Sequence, residues 1–353
     1  ASRSGGKDAE PAPTTALRDA LAWVDAAFVG DPQDVRDWPL LDPLAPHALA
    51  VARYADATGI ADPTARLLSQ VGVLLLAKAR YSEAEPLLRR ALAVDEASFG
   101  DAHPNVAPDL NNLAALLQAT NRLAEAEPLM RRALAIDEAI LGGAQPNVAI
   151  RLNNLAALLH TTNRLAEAEP LLRLALAIDE ASFGDAHPEV ATDLNNLAQL
   201  LKASSRLTEA EPLMRRALAI DEASFGDAHP SVARDLNNLA QLLQDTNRLA
   251  EAEPLMRRAL AIDEASFGNA HPNVAIRLNN LAQLLQDTNR LAEAEPLMRR
   301  ALRIVVASLG SEHPNSQTAR ANTIALLQAM GRSNDEIADC LARDLGAKPD
   351  GDA

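Results

Sequence analysis

Leucine and alanine recur along the chain at intervals of three and four. Between residues 104 and 120, Val106, Leu110, Leu113, Ala114 and Leu117 share one stripe of a helix, while Asn111, Ala115 and Gln118 fall on another face. A break follows at Thr120-Asn121. Leu123, Ala126, Leu129, Met130, Ala133, Leu134 and Ile136 then predict a longer second helix, and the glycine ending it, as in Phe99-Gly100, predicts a left-handed C-terminal cap. This pair repeats at a constant interval along the chain. Glu-Ala-Glu-Pro-Leu segments place Pro86, Pro128, Pro170, Pro212, Pro254 and Pro296 at that spacing, and Pro104, Pro146, Pro188, Pro230, Pro272 and Pro314 keep the same register. A third register holds Asn111-Asn112, Asn153-Asn154, Asn195-Asn196, Asn237-Asn238 and Asn279-Asn280. Seven units are predicted, with first helices starting near Asp62 and then at the six prolines of the Pro104 series. The end units deviate as caps should. Val73 and Leu76 stand where later units are polar, which predicts a covering segment before them, and Ser333-Asn334-Asp335-Glu336 reads as a capping box opening a last short helix. A proline inside a helix is costly beyond the first turn. The second helix is therefore expected to start close to Leu123 or Ala124, with a repeated local bend at Pro128.

Leu110, Leu113, Ala114 and Leu117, then Ala126, Met130 and Ala133, occupy the pattern of large, small and aromatic positions kept by the tetratricopeptide repeat (TPR). Both aromatic slots hold Leu or Met, and the usual terminal proline is missing because the second helix runs on through Ala135-Ile136-Asp137-Glu138. With the 42-residue spacing, His-Pro and Leu-Asn-Asn-Leu-Ala, residues 62–345 resemble the long TPR subtype of kinesin light chains and many bacterial multidomain proteins. The resemblance implies an all-α fold, a right-handed α-solenoid whose inner, concave face binds a protein or peptide.

The segment before the repeats differs in kind. Leu17–Phe28 predicts an amphipathic helix, residues 31–42 a proline-punctuated loop containing Trp38, and 46–58 a second helix closed by Gly59. The passage from Gly30-Asp31-Pro32 through Trp38-Pro39 to Pro46-His47-Ala48-Leu49 resembles the junction before the TPR array of bacterial signalling ATPases of the NB-ARC/STAND type. That likeness implies a ligand-sensing C-terminal region, with the ATPase and effector modules upstream in the same chain, because the present residues contain no Gly-Lys-Ser/Thr phosphate loop. The alternative is a stand-alone adaptor carrying a peptide-bearing partner. The expected division is a disordered stretch over 1–13, a helical cap over 14–60, the repeat array over 61–345 and a flexible tail over 346–353.

Composition sharpens this picture. The 353 residues are 48% apolar but only 3% aromatic, and the excess of Leu and Ala favours packed helices over sheet. A net charge of -15 argues against a nucleic-acid surface. The single cysteine, Cys340, excludes an intramolecular disulfide, and no apolar run is long enough to span a membrane. No basic stretch with an apolar core follows Ala1, so a secretory leader is not expected; the chain reads as cytoplasmic and as a piece of a longer protein.

Candidate chemistry is sparse. His103, His187, His229, His271 and His313 each precede a proline that opens a helix, whereas His47 and His160 have no partners at ligand spacing. One histidine per repeat cannot converge on a metal if neighbouring helices keep the usual spacing of about 10 Å, and Gln145 fills one of these slots. Helix capping is the expected role, with no metal or cofactor. Cys340 falls on a packing face, and the Glu-Ala-Glu carboxylates diverge by about 200° on a helix, so no catalytic site is expected. Glu127 with Arg131, and the equivalent pairs beginning at Glu85, Glu211, Glu253 and Glu295, are expected as solvent-side ion pairs. The partner-binding candidates are Asn111, Asn153, Asn195, Asn237 and Asn279, with the varied slot Gln118, His160, Lys202, Gln244, Gln286 beside them. Two readings stand for the asparagines. They bind the backbone of an extended peptide, or they staple neighbouring first helices together. Asp245 and Asp287 make the later units acidic, which favours a partner segment bearing Lys or Arg.

Overall fold

The structure, a computed structural model, describes residues 12–143 and 145–345. Among these residues it is all-helical, and its contacts group it into two units, Ala1–Gly143 and Ala144–Ala353. The first unit holds α1 (Ala12–Ala27), α2 (Trp38–Ala57), α3 (Thr64–Ala77), α4 (Tyr81–Phe99), α5 (Val106–Ala119) and α6 (Leu123–Leu141). The second holds α7 (Pro146–Thr161), α8 (Leu165–Phe183), α9 (Pro188–Ala203), α10 (Leu207–Phe225), α11 (Pro230–Asp245), α12 (Leu249–Phe267), α13 (Pro272–Asp287), α14 (Leu291–Leu309), α15 (Pro314–Ala329) and α16 (Asn334–Asp344). The stretches 1–13 and 346–353 lie outside the described residues, except that α1 already includes Ala12 and Pro13.

Within each unit successive helices pack on one another, so the first helix of a pair lies between its own second helix and that of the preceding pair. The seven helix pairs α3/α4 to α15/α16 match the expected repeats, and this is α-solenoid architecture. The turn inside each pair is built locally. Asn121 takes φ 58°, its N–H donating to Gln118 O (2.9 Å) while Arg122 N–H donates to Leu117 O (2.7 Å), a Schellman closure of α5. Asparagine tolerates this left-handed conformation better than most residues. The exit from the second helix differs from the expected cap. Gly100 has φ 87° and ψ 160°, well beyond the left-handed helical well and in a region open essentially to glycine alone.

The helix α6 starts at Leu123, which puts Pro128 in its second turn with the helix unbroken. The bond lost there points to the exposed first turn, where water can replace it. The loop expected over residues 31–42 is shorter, because α2 begins at Trp38. Pro39 falls in its first turn, where a missing N–H costs nothing, and Leu41 already belongs to the buried stripe continued by Ala48, Ala52 and Ala55. Trp38 Nε1 donates to Pro32 O at 3.0 Å, and Lys78 Nζ lies 4.3 Å above the indole. Of the two apolar residues expected to be covered, Val73 is 9% exposed and Leu76 is half-buried.

The core is itself periodic. Val190, Ala191 and Leu194 of α9 meet Ala217 and Ile220 of α10, and the same set recurs one repeat further on as Val232, Ala233, Leu236, Ala259 and Ile262. Each fully buried leucine or valine contributes roughly 1.5–3 kcal/mol relative to exposure. At the C-terminal end, α16 opens with the expected capping box, Ser333 N–H donating to Glu336 Oε2 at 2.8 Å. Cys340 packs in that end cluster with Ala301, Val305 and Ile337.

Candidate functional site

In the asparagine register the hydrogen bonds are those of the second reading, between neighbouring first helices. Asn195 and Asn237 are only 4% exposed and face the core, not solvent; Asn111, Asn153 and Asn279 are half-buried. The amides of Asn153, Asn195, Asn237 and Asn279 are engaged by the neighbouring repeat, whereas the buried Oδ1 of Asn111 has no hydrogen-bond partner. Asn153 Nδ2 donates to Asp193 Oδ1 at 2.6 Å, and Asn195 Nδ2 donates to Asp235 Oδ1 at 2.8 Å and to Ala191 O at 3.1 Å. The asparagine at the second position of the register reaches back to the first asparagine of the repeat before it: Asn280 Nδ2 donates to Asn237 Oδ1 at 2.9 Å, and Asn322, preceded by Ala321, donates from Nδ2 to Asn279 Oδ1 at 2.8 Å. In the first unit Asn112 Nδ2 donates to Ser69 Oγ at 3.0 Å. A helix-to-helix amide ladder is therefore present, and the amides of Asn195 and Asn237 are taken up by it.

The varied slot lies nearer the surface. Gln118, Lys202, Gln244 and Gln286 are half-buried, while His160, Asp245 and Asp287 are exposed. Lys202 Nζ lies 2.9 Å from Asp245 Oδ2, and Gln244 Nε2 donates to Asp287 Oδ2. The acidic character expected at Asp245 is thus offset by Lys202 of the preceding repeat. Between α7 and α9 a concavity of about 350 Å³ brings together Asn153, Asn154, His160, Thr161, Asn196 and Gln199 over an apolar floor that includes Leu172. A smaller one, about 180 Å³, lies between α13 and α15 and is lined by Ile276, Asn279, Thr318 and Asn322. Asn111 and Gln118 belong to the other unit.

The remaining candidates take structural roles. His187 Nδ1 accepts from Glu189 N–H at 3.2 Å and its ring stacks on Phe183 with centroids 4.4 Å apart; His229 does the same with Ser231 N–H and Phe225. The stacking was not read from sequence, although Phe and His keep a constant separation of four. Among the described residues no group of three or more His, Cys, Asp or Glu is placed to hold a metal. The Glu–Arg pairs are not isolated. Glu85 accepts from Arg89 in its own helix and also from Arg122 of the next repeat at 2.8 Å, and Glu211 and Glu253 are bridged alike by Arg248 and Arg290. Arginine's fork allows one guanidinium to serve two carboxylates.

A set of buried aspartates was missed altogether. Asp109, Asp193 and Asp235 in first helices, and Asp179, Asp221 and Asp263 in second helices, are nearly inaccessible. The signal was available. Asp179 follows Ala175 by four residues and so falls on its buried stripe. Burial, against a hydrogen bond from Asn153, pushes the Asp193 carboxyl up to about 7, and burial raises Asp109 to about 7 and Asp235 to about 6.

Helix pairs stacked on a constant period, with the core renewed in each repeat, define a helical repeat protein. The model of the tetratricopeptide repeat matches residues 63–139, 110–181, 147–223, 189–265 and 231–305, and the chain belongs to that family. No curated protein matches the chain in sequence. Among solved structures, BtubC (BKLC) from P. vanneervenii is 27% identical over 67% of this chain and 92% of its own, with a TM-score of 0.50. A structure from Podosopora anserina described as a putative kinesin light chain with nearly identical TPR-like repeats is 24% identical over 58% of this chain and 97% of its own, TM-score 0.49. The apo form of RapI shares the fold at 14% identity, covering 76% of this chain and 99% of its own, TM-score 0.51. TPR arrays are protein-interaction scaffolds, and this chain carries one. No helix among the described residues is long and apolar enough to cross a membrane.

Proposed function

We propose that the chain is a non-catalytic module that takes an extended segment of a partner protein along its first-helix face, and that it forms the ligand-sensing C-terminal region of an NB-ARC/STAND-type ATPase. The observation supporting the binding reading is the concavity between α7 and α9, where exposed or half-buried His160, Thr161, Asn196 and Gln199 surround an apolar floor. Amides and a hydroxyl offer donors and acceptors to a peptide backbone, while the apolar floor takes a side chain. Asn195 and Asn237 act here from behind, by holding successive first helices in register. Asp287 leaves a preference for Lys or Arg in the partner, weaker than the sequence alone implies because Lys202 offsets Asp245. The sensor context is supported by the resemblance of residues 30–49 to the NB-ARC junction, with 14–60 as the cap of the array.

Peptides selected from a display library against the whole chain provide the test. His160→Ala and Gln199→Ala should each weaken a selected peptide about tenfold, the loss of one hydrogen bond of roughly 1 kcal/mol or more, with the melting temperature unchanged. Affinity untouched by both substitutions, but lost on Arg215→Ala of the outer helix, would place binding elsewhere. The sensor context is decided by the reading frame upstream of residue 1: a Gly-Lys-Ser/Thr phosphate loop supports it, and a start codon directly before Ala1 refutes it.

A further inference from the structure

Where the second helix of one repeat meets the first helix of the next, two equivalent positions face each other, and different repeats fill them differently. At α12/α13 they are Asp263 and Arg277, an ion pair of 2.8 Å with side chains 1% and 11% exposed. At α14/α15 they are Val305 and Ala319, both buried. At α8/α9 and α10/α11 both positions are aspartates: Asp179 with Asp193, and Asp221 with Asp235, between 0% and 4% exposed. The two carboxyls of each pair lie close enough for one to oppose the ionisation of the other, and Arg234 reaches both carboxyls of the second pair.

Each of these four residues also has one buried oxygen without a hydrogen-bond partner: Asp179 Oδ1, Asp193 Oδ2, Asp221 Oδ1 and Asp235 Oδ2. Two carboxylates in contact in a dry interior cannot both ionise without strong repulsion. A single proton held by one carboxyl and donated to the other makes one hydrogen bond between them in place of that repulsion.

We propose that the α8/α9 and α10/α11 junctions each hold one shared proton and act as pH-set fasteners between successive repeats, firm with the proton in place and loosened when it leaves. The α12/α13 and α14/α15 junctions, ionic and apolar, keep their strength across the same pH range. Around Asp179 and Asp193 the charged groups are Glu189, which opposes ionisation, and His187, which favours it, while α7 contributes the neutral amide of Asn153. Around Asp221 and Asp235, Arg234 reaches both carboxyls, at 3.2 and 3.1 Å, and α9 contributes the amide of Asn195. Arg234 compensates one charge, so this pair releases its proton at lower pH than the α8/α9 pair.

The direction follows from linkage. These carboxyls bind protons more tightly folded than unfolded, so their stabilisation is complete below the unfolded value near 4 and is lost as pH rises to about 6 for Asp235 and about 7 for Asp193. The intact chain should melt roughly 3–5 °C higher at pH 5.5 than at pH 8. Part of any rise reflects relief of the net negative charge, so the control is the double variant Asp193→Asn, Asp235→Asn, which mimics the protonated carboxyls. It should melt higher than the parent at pH 8 and show a clearly flatter pH dependence. Hydrogen exchange in α9 and α11 should quicken in the parent between pH 5.5 and pH 8, after correction for intrinsic rates, while α13 and α15 stay unchanged. An unaltered pH slope in the variant overturns the proposal. Should the variant not fold, carboxyl carbon-13 NMR of the parent decides: titration midpoints of Asp193 and Asp235 above pH 5.5 support the shared proton, and midpoints near 4 refute it.

Discussion

Asn195→Ala separates the two roles read for the asparagines. The substitution deletes a donor 2.8 Å from Asp235 Oδ1, a bond between successive first helices in a site 4% exposed. A hydrogen bond to a charged or partly charged acceptor contributes about 1.5–3 kcal/mol, and truncation leaves Asp235 Oδ1 with only Arg234 Nε, at 3.1 Å. The bond from Asn195 to Ala191 O adds little, since that carbonyl lies within α9 and keeps its helical partner, and the Asn238 contact at 3.5 Å is at the limit of a hydrogen bond. A loss of about 2–3 kcal/mol is expected. Asn238→Ala, half-buried and holding only the long contact, should cost under about 1 kcal/mol. Urea unfolding at pH 7, fitted with intrinsic and nearest-neighbour repeat terms, should assign the Asn195 loss to the coupling between adjacent repeats. A shift below about 0.5 kcal/mol for Asn195→Ala, together with a large loss of peptide affinity, would refute the staple and restore the amide to the binding surface.

Two other junctions make sharper contrasts. Arg277→Leu strands the buried Asp263 carboxylate and should destabilise by about 3–5 kcal/mol, whereas Asp263→Val with Arg277→Ala, copying Val305 and Ala319, should recover most of that by thermal melting. Recovery failing in the double variant would show that the ion pair itself, not the stranded charge, carries the stability. His229→Ala removes both a 3.2 Å cap bond and a ring stack with centroids 4.3 Å apart and should cost about 1 kcal/mol, while Gln145→Ala, whose side chain makes no cap bond, should be neutral by the same measurement.

Much of the fold was legible because its determinants are local. Period, helix pairs, the Asn121 turn, the histidine caps and the Ser333 box each depend on residues within a few positions of one another, and the pattern states them directly. The α2 start was misread because Pro39, Pro43 and Pro46 look like punctuation, although a first-turn proline is compatible with a helix and Leu41 already shared the buried stripe.

What the sequence determined by itself is the repeat, the identity of the buried leucine and alanine stripes, and the membership of each residue in one face of one helix. What the tertiary structure alone decided is which of those faces are covered. Helical periodicity sets Asp193 and Asn195 about 200° apart around α9, but only the crossing of α9 with α8 and α11 closes both directions to water. That crossing turns an apparently exposed amide into a staple for Asp235, and the equivalent stacking in the first unit joins Glu85 to Arg122. It also presses Asp179 against Asp193 in a space where a second charge has no solvent to stabilise it.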